Sequence, residues 1–414
     1  MHRPLLTTVT ASVAIAAVVG TAGVAAAAPG TCPPPDTGSS LDTALLDEAL
    51  DRLAEVGDLA VVAEARDGDH IWTGARGPRQ YGGDEPAAAD DEVRIGSLTK
   101  SMVTTVLLQL VDEGRLDLDA DIDEYLPGLL PYQEDITVRQ LLNHTAGIPD
   151  YFIDIYPSLY AGSADDMRTN RDLAFTPTEL IELATQRPLD FAPGTQYRYS
   201  NTGYFVLGLL LEQITCDTVE SQLEQRIFEP AGMDDTYWPR TSDLDGPHLH
   251  AYLATGEADE PRIDTTLIDP SQFWAAGVTV STMSDVDDFY RAMFDGTLLS
   301  ADRLADAREF TAQSGGGYGL GLQAVPAECE PIDGGVAMGH TGGTLGHSTY
   351  SFHSPDGNRQ VSLTFNLDPQ LAAADYQDVY VAANDVLVAG LCGESTVSIT
   401  GTGMAPVVGP IPVG

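Results

Sequence analysis

Segments patterned as β-strands occur near both ends of this chain, and the long stretch between them is patterned for helices. Leu59 to Glu64 and His70 to Gly74 read as two strands around the turn residues Asp67-Gly68-Asp69. Tyr318 to Ala324, Val336 to Gly339, Ser348 to Phe352 and Gln360 to Asn366 read as four more. From about Leu116 to Pro270 the spacing is helical, most clearly over Thr137–Asn143, Thr176–Gln186, Asn201–Ile214 and Thr218–Phe228. Strands at both ends with helices between them imply a sheet domain interrupted by an insertion, not two domains in tandem. Residues 29–115 and 271–392 are therefore expected to form one discontinuous α/β sheet domain, and residues 116–270 a helical one. Further helices are expected from Ser39, acting as the cap, to Glu55, from Ser97 to Glu113 with Met102, Val106, Leu107, Leu110 and Val111 on its apolar side, and from Ala372 to Leu391.

Outside that body, residues 1–28 have the pattern of a secretory signal peptide: His2 and Arg3, an apolar run from Ala11 to Val24, and alanines 25–28 before Pro29. No second apolar stretch is long enough to span a bilayer, so a secreted product is expected, with no stable membrane insertion after signal cleavage. Residues 393–414, rich in Gly, Pro, Thr and Val, are expected to be a disordered tail. With 62 acidic residues against 20 Lys and Arg, the formal charge is −42, which excludes nucleic acid and anionic membranes as partners. The four cysteines, Cys32, Cys216, Cys329 and Cys392, suit an oxidising compartment and allow three pairings. Neither a C-x-x-C pair nor a His-rich cluster occurs, so no metal and no cofactor are expected.

The chain contains one lysine, Lys100, three positions after Ser97 in Ile95-Gly96-Ser97-Leu98-Thr99-Lys100-Ser101. Every other basic side chain apart from histidine is arginine, whose guanidinium stays protonated at any working pH. An ammonium can be driven toward neutrality by burial, so only Lys100 can serve as an amine base. Residues three apart on a helix share a face, which places that amine beside the Ser97 hydroxyl. A weak nucleophile beside a tunable base is what covalent catalysis by serine requires. Alone, S-x-x-K is common enough to arise by chance.

Two further segments supply what a Ser-Lys pair lacks. Tyr199-Ser200-Asn201 follows the loop Pro193-Gly194-Thr195 and precedes an apolar helix, which puts a phenol and an amide at a loop-to-helix junction. The phenol can relay a proton and the amide can bind a substrate carbonyl. His340-Thr341-Gly342-Gly343 ends a strand with glycines, leaving backbone open to a ligand alongside. Taken singly, Tyr199 reads as a core aromatic and the glycines as a turn.

In this order, with about 100 and 140 residues between them, the three motifs resemble the active-site elements of the serine penicillin-recognising enzymes. The chain is similar to their streptomycete-type D-Ala-D-Ala carboxypeptidases, relatives of class C β-lactamases and of family esterases, from about Leu41 to Leu391. The likeness includes residues 107–114, LLQLVDEG, residues 125–131, YLPGLLP, residues 136–140, ITVRQ, and residues 318–322, YGLGL. It implies an α+β fold of the β-lactamase/transpeptidase type, an antiparallel sheet flanked by helices with a mostly helical inserted domain.

By the same resemblance, Ser97 is the nucleophile, Lys100 its base, and Tyr199 completes proton transfer to the leaving group. Asn201 orients the substrate amide, and the backbone N–H groups of Ser97 and Gly343 hold the oxyanion. His340, Thr341 and Gly342 line the substrate site, with His340 and Thr341 binding a terminal carboxylate or helping to shuttle protons. The resemblance also pairs Cys329 with Cys392; Cys32 with Cys216 then follows only by elimination. A small peptide, ester or β-lactam is the implied substrate, and a monomer the implied state.

The chain departs from the family pattern at two places that bear on substrate. The residue after the 318–322 run is Gln323, where relatives can carry an arginine for the peptide's carboxylate, and Gly343 stands where the carboxypeptidase has threonine. These losses add weight to β-lactamase, D-aminopeptidase or esterase activity, while a D-Ala-D-Ala-like amide remains the leading expectation. A penicillin-binding protein with little turnover is the alternative. A Ser-His-Asp triad is excluded by the absence of a G-x-S-x-G elbow. His144 is expected to be structural, His347 has no assignable role, and Gly315-Gly316-Gly317 reads as a flexible connection.

Overall fold

A computed structural model describes residues 41–372 and 376–393. The expected signal peptide, the tail beyond Gly393 and Cys32 lie outside the described residues. Helix α1 (Thr43–Gly57) starts at Asp42, whose carboxylate accepts the Ala44 and Leu45 N–H groups, so the cap is Asp42 and not Ser39. Strands β1 (Val61–Asp67) and β2 (His70–Arg76) follow, turning at Gly68 with φ +58°. After the short strand β3 (Val93–Arg94) comes helix α2 (Leu98–Asp112), ended by Gly114 at φ +67°.

Residues 116–270 supply short helices and helix α3 (Asn201–Thr215), then the paired strands β4 (Tyr252–Ala254) and β5 (Arg262–Asp264). Strand β6 (Val280–Ser281) pairs with β3, and helix α4 (Met283–Phe294) leads to the last four strands. These are β7 (Gln323–Pro326), β8 (Val336–Gly343), β9 (Ser348–His353) and β10 (Arg359–Phe365), closed by helix α5 (Gln377–Cys392). The main sheet has six strands in the order β2-β1-β10-β9-β8-β7, antiparallel throughout. Val61 of β1 pairs with Phe365 of β10, so an early and a late segment of the sequence meet inside the sheet.

Alternation along β1 decides what covers each face. Val61, Ala63 and Ala65 pack with Leu46, Leu50 and Leu53 of α1 and Val386 and Leu387 of α5. Val62 belongs instead to the larger core, which holds α2, α3 and α4. On that second face Arg66 lies beside Glu64 and Asp288 at 2.5 Å each, and 3.8 Å from Asp287. Desolvating such charges is costly, and mutual pairing plus the Ser362 hydroxyl on Asp287 offsets it. The Cys329–Cys392 disulfide ties the segment before β8 to the end of α5, while Cys216 is exposed and its expected partner lies outside the described residues.

Two further expectations need correction. Residues 318–322 are not strand; Tyr318 makes one isolated bridge to Gln323, because Gly321 turns at φ +62° and aims its carbonyl at the Ser101 hydroxyl, 2.6 Å away. Helix α2 has no polar side toward solvent over most of its length. Thr99, Lys100, Ser101, Thr104 and Thr105 are as buried as its leucines. Their polar groups are satisfied inside the protein, Thr105 by the Ser101 carbonyl and Thr104 by the Tyr204 hydroxyl. A helix covered all round is a central one, and Lys100 is carried into the interior with it.

Candidate active site

Ser97 opens α2 at the point where that helix meets the end of β8. The approach is possible because Gly96, at φ +58°, has no side chain: a Cβ there would lie 2.6 Å from the Gly343 nitrogen and 2.7 Å from its oxygen. Gly342 is held likewise, since a Cβ on it would meet the Ile95 carbonyl and Leu98. Two backbone segments are thus pressed together beside the Ser97 hydroxyl. The helix start supplies a positive dipole end there.

Lys100 has no exposed surface, and its Nζ has three partners: Ala276 O at 2.6 Å, Asn201 Oδ1 at 2.8 Å and Ser97 Oγ at 2.9 Å. A carbonyl and an amide oxygen can only accept, so they take two N–H bonds. A neutral amine has two hydrogens and one lone pair. Its lone pair then faces the one partner able to donate, the Ser97 hydroxyl. Burial drives the Lys100 pKa well below the usual lysine value, with the Asp150 carboxylate pulling it back up. Burial favours the uncharged amine, and in that form the three contacts arrange it to receive the serine proton.

Asp150 was not singled out from sequence. It lies at the end of the loop after His144, and its Oδ2 accepts the Asn201 N–H at 3.1 Å and the Asn201 side-chain N–H at 2.9 Å. Both ends of the Asn201 amide are therefore engaged inside the protein, one by Asp150 and one by Lys100. In this state Asn201 positions the lysine from the edge of the groove that Ser97 lines.

The Tyr199 ring lies 4.9 Å from Lys100 Nζ, and its hydroxyl is buried near Ser97 without a well-formed hydrogen bond. Burial pushes the phenol well above its ordinary pKa, so it is a neutral O–H in the resting site. His144 packs against it, tilted by 36° with ring centroids 4.2 Å apart, and its Nδ1 accepts the Ser200 N–H at 3.3 Å. Its backbone is left-handed, φ +60°, and its ring braces the loop that carries Tyr199.

His340 does not fit a carboxylate clamp. Its Nδ1 donates to the Thr341 carbonyl at 2.6 Å, which leaves Nε2 to accept from the Tyr318 hydroxyl at 2.8 Å. It is fully buried and its pKa falls to about 3, first through desolvation, so it carries no charge to offer an anion. A proton relay through Tyr318 is the role its geometry leaves open. Thr341 is held by Gln323, whose amide donates to Thr341 Oγ1 at 3.2 Å and accepts from its N–H at 3.1 Å. Gln323, noted in the sequence only as a departure, fixes the strand edge. His347, also buried, is 3.0 Å from the Leu249 carbonyl, which ties two loops together.

Ser97, Asn201 and Gly343 share a groove with Phe152, Phe273, Ala276, Gly277 and Leu345. None of these lining residues is cationic. A hydroxyl with a buried amine behind it and an apolar opening in front can attack an acyl carbon.

Residues 46–384 match the family described as beta-lactamase. This chain belongs to the beta-lactamase family. Among solved structures, the D-stereospecific amidohydrolase from Streptomyces sp. is 32% identical, with a TM-score of 0.72, over 85% of this chain and 99% of that one. The D-amino acid amidase from Ochrobactrum anthropi SV3, solved with L-phenylalanine amide, is 26% identical with a TM-score of 0.71, over 85% and 98%. Esterase EstB of Burkholderia gladioli is 30% identical over 46% of this chain and 49% of its own length. The putative penicillin-binding protein PbpX of Bacillus subtilis is 28% identical over 56% and 53%. The chain thus spans about half the length of these curated relatives. The fold is that of the solved family members, an α+β protein with an antiparallel sheet and flanking helices.

Proposed function

We propose that this protein is an exported amidohydrolase that forms an acyl-Ser97 intermediate from amides and esters with an uncharged leaving group, D-amino-acid amides foremost. The observation that carries this reading is the groove itself: Phe152, Phe273 and Leu345 offer apolar contact, and no lining side chain offers a cation. A D-Ala-D-Ala peptide ends in a carboxylate that would lose its hydration there without a partner. The similar D-stereospecific amidohydrolase and D-amino acid amidase support the same substrate class.

In the proposed sequence Ser97 Oγ attacks the acyl carbon while its proton passes to the Lys100 lone pair. The carbonyl oxygen, now an anion, accepts from the Ser97 and Gly343 N–H groups. The Tyr199 hydroxyl gives its proton to the departing nitrogen and regains one from the Lys100 ammonium, so the amine returns to its neutral state. Water then repeats the attack on the acyl-serine with the same base. Thr341, set by Gln323, and the backbone of Gly342 border the bound acyl group. Export is supported by the leader-like residues 1–28 and by the Cys329–Cys392 disulfide, which fits an oxidising compartment. A monomer is supported by the self-repulsion expected at a charge of −42.

The test is a parallel assay of a D-amino-acid amide, a short acyl ester, a D-Ala-D-Ala peptide and nitrocefin on the full protein. The amide and the ester are expected to turn over with kcat/KM at least tenfold above the D-Ala-D-Ala peptide, about 1.4 kcal/mol of barrier. Ser97→Ala abolishes every activity. A D-Ala-D-Ala peptide as the best substrate would restore the carboxypeptidase reading. Stable labelling by a fluorescent penicillin without turnover would make the protein a binder.

A further inference from the structure

We infer that Asp150 is a positioning residue that sets the direction of every hydrogen bond from itself through Asn201 and Lys100 to Ser97. The inference rests on Lys100 acting as the base in the proposed mechanism and adds a cause for its orientation. A side-chain amide is ambivalent: it can present its oxygen or its NH₂ to a neighbour. An ionised carboxylate is not, because it only accepts. Asp150 Oδ2 takes the Asn201 side-chain N–H at 2.9 Å and the first N–H of α3 at 3.1 Å, while Oδ1 takes the Phe152 N–H at 3.0 Å. These three donors favour the charged form and work against burial, which pushes the Asp150 pKa above its ordinary value. The NH₂ of Asn201 is thereby committed, and only its oxygen is left for Lys100.

That commitment decides where the lysine lone pair points. With Asn201 Oδ1 and Ala276 O both accepting, the two hydrogens of the neutral amine are spoken for and the lone pair falls on Ser97. If Asn201 turned over, its NH₂ would donate to the amine and occupy that lone pair. The base would then be satisfied by the wrong partner. Asp150 prevents this without touching a reacting atom.

A second consequence is electrostatic. The groups facing Lys100 besides Asp150 are His144, His340, Tyr199 and Tyr204. Desolvation holds both imidazoles neutral, His340 down to about 3, and holds both phenols protonated above the ordinary tyrosine range. Burial raises the Asp150 pKa above the ordinary aspartate value, while its N–H donors and Lys100 pull it back; its ionised form is the charge in this set that favours the ammonium.

The experiment compares wild type, Asp150→Asn and Asp150→Ala by kcat, KM and the acid limb of kcat/KM, with thermal melts to count folded protein. Asp150→Asn keeps an oxygen able to hold the Asn201 NH₂ and removes the charge, so the acid limb is expected to move to lower pH. Asp150→Ala releases Asn201, and kcat is expected to fall about 10² to 10⁴-fold, the range of a lost general base, with KM within about threefold. An acid limb at the wild-type position in Asp150→Asn, together with a kcat loss in Asp150→Ala no larger than its loss of folded protein, would overturn the inference. Should either variant fail to fold, Asn201→Ala, which removes the same amide, is read in its place and must show the same kcat loss. Lys100→Ala separates the two ideas: if it keeps full activity the base assignment itself is wrong, whereas its inactivity with unresponsive Asp150 variants refutes the positioning role alone.

Discussion

Lys100→Arg is expected to lower kcat by about three orders of magnitude or more on every substrate, with residual activity that does not recover at high pH. A general base contributes about 10² to 10⁴-fold, and loss of the group that activates a serine falls at the upper end. The substitution keeps a long basic side chain, so a role in binding alone would be partly rescued. Arginine cannot give up its proton at any accessible pH. Wild type behaves differently: desolvation lowers the Lys100 pKa, so the amine is neutral above that value and protonated below it. Activity should therefore rise with pH through an acid limb well below 10.5, the ordinary lysine value. Stability follows the same sign, because folding expels a proton from this group between its lowered pKa and the unfolded value of about 10.4. In that window wild type gains stability as pH rises, and Lys100→Arg, charged in both states, does not. Steady-state kinetics from pH 5 to 10 on both proteins checks the prediction; an arginine variant within tenfold of wild type would contradict it.

Gly96→Ala is expected to reduce kcat about 10² to 10³-fold with a far smaller change in KM. The Cβ would sit 2.6 Å from the Gly343 nitrogen and 2.7 Å from its oxygen, and both atoms are backbone that cannot rotate away. The left-handed φ of +58° adds strain for any residue with a side chain. Relief requires the end of β8 to withdraw from the start of α2, which moves the Gly343 N–H away from the acyl oxygen. Removing one oxyanion donor costs about 10² to 10³ in kcat. Because the groove walls Phe152 and Phe273 lie elsewhere, ground-state binding should persist. Equal losses in kcat and in folded protein, measured by active-site titration, would show that only stability had been touched.

Much of the architecture was legible because it depends on periodicity. The alternation around Asp67-Gly68-Asp69 located β1 and β2, and strand signals at both ends implied the pairing of Val61 with Phe365 in kind, though not in register. Register depends on which face each residue buries, and that is settled by α1 and α5, whose packing no local pattern encodes. The 318–322 run misled because glycine and apolar residues alternate there as in a strand, whereas Gly321 uses its left-handed φ to turn. Helix α2 was read as amphipathic, since Thr99, Ser101, Thr104 and Thr105 look like a solvent face. They are polar because neighbouring elements supply partners such as Tyr204 and Tyr290.

The site divides in the same way. Ser97 and Lys100 were legible because one lysine in a chain of arginines is a chemical anomaly. For His340 the sequence left carboxylate binding and proton shuttling both open, because it does not reveal that Tyr318 and the Thr341 carbonyl occupy both its nitrogens. Asp150 was missed because one carboxylate among 62 acidic residues carries no signal. A faint one exists: Pro149-Asp150 closes the loop of His144, which also reaches Ser200, and a short polar residue there can cap the helix that starts at Asn201.

The uncharged amine at Ser97 can be measured without ambiguity because Lys100 is the only lysine in the sequence. Protein grown with lysine labelled by ¹³C at the ε-carbon and carrying no lysine in any tag gives one side-chain resonance, to be followed by NMR from pH 5 to 11. The resonance is expected to titrate far below 10.5, to reach the neutral amine form on the high-pH side, and to coincide with the acid limb of kcat/KM. A lysine that titrates near 10.5 in the folded enzyme, while the enzyme is fully active at neutral pH, would contradict the account.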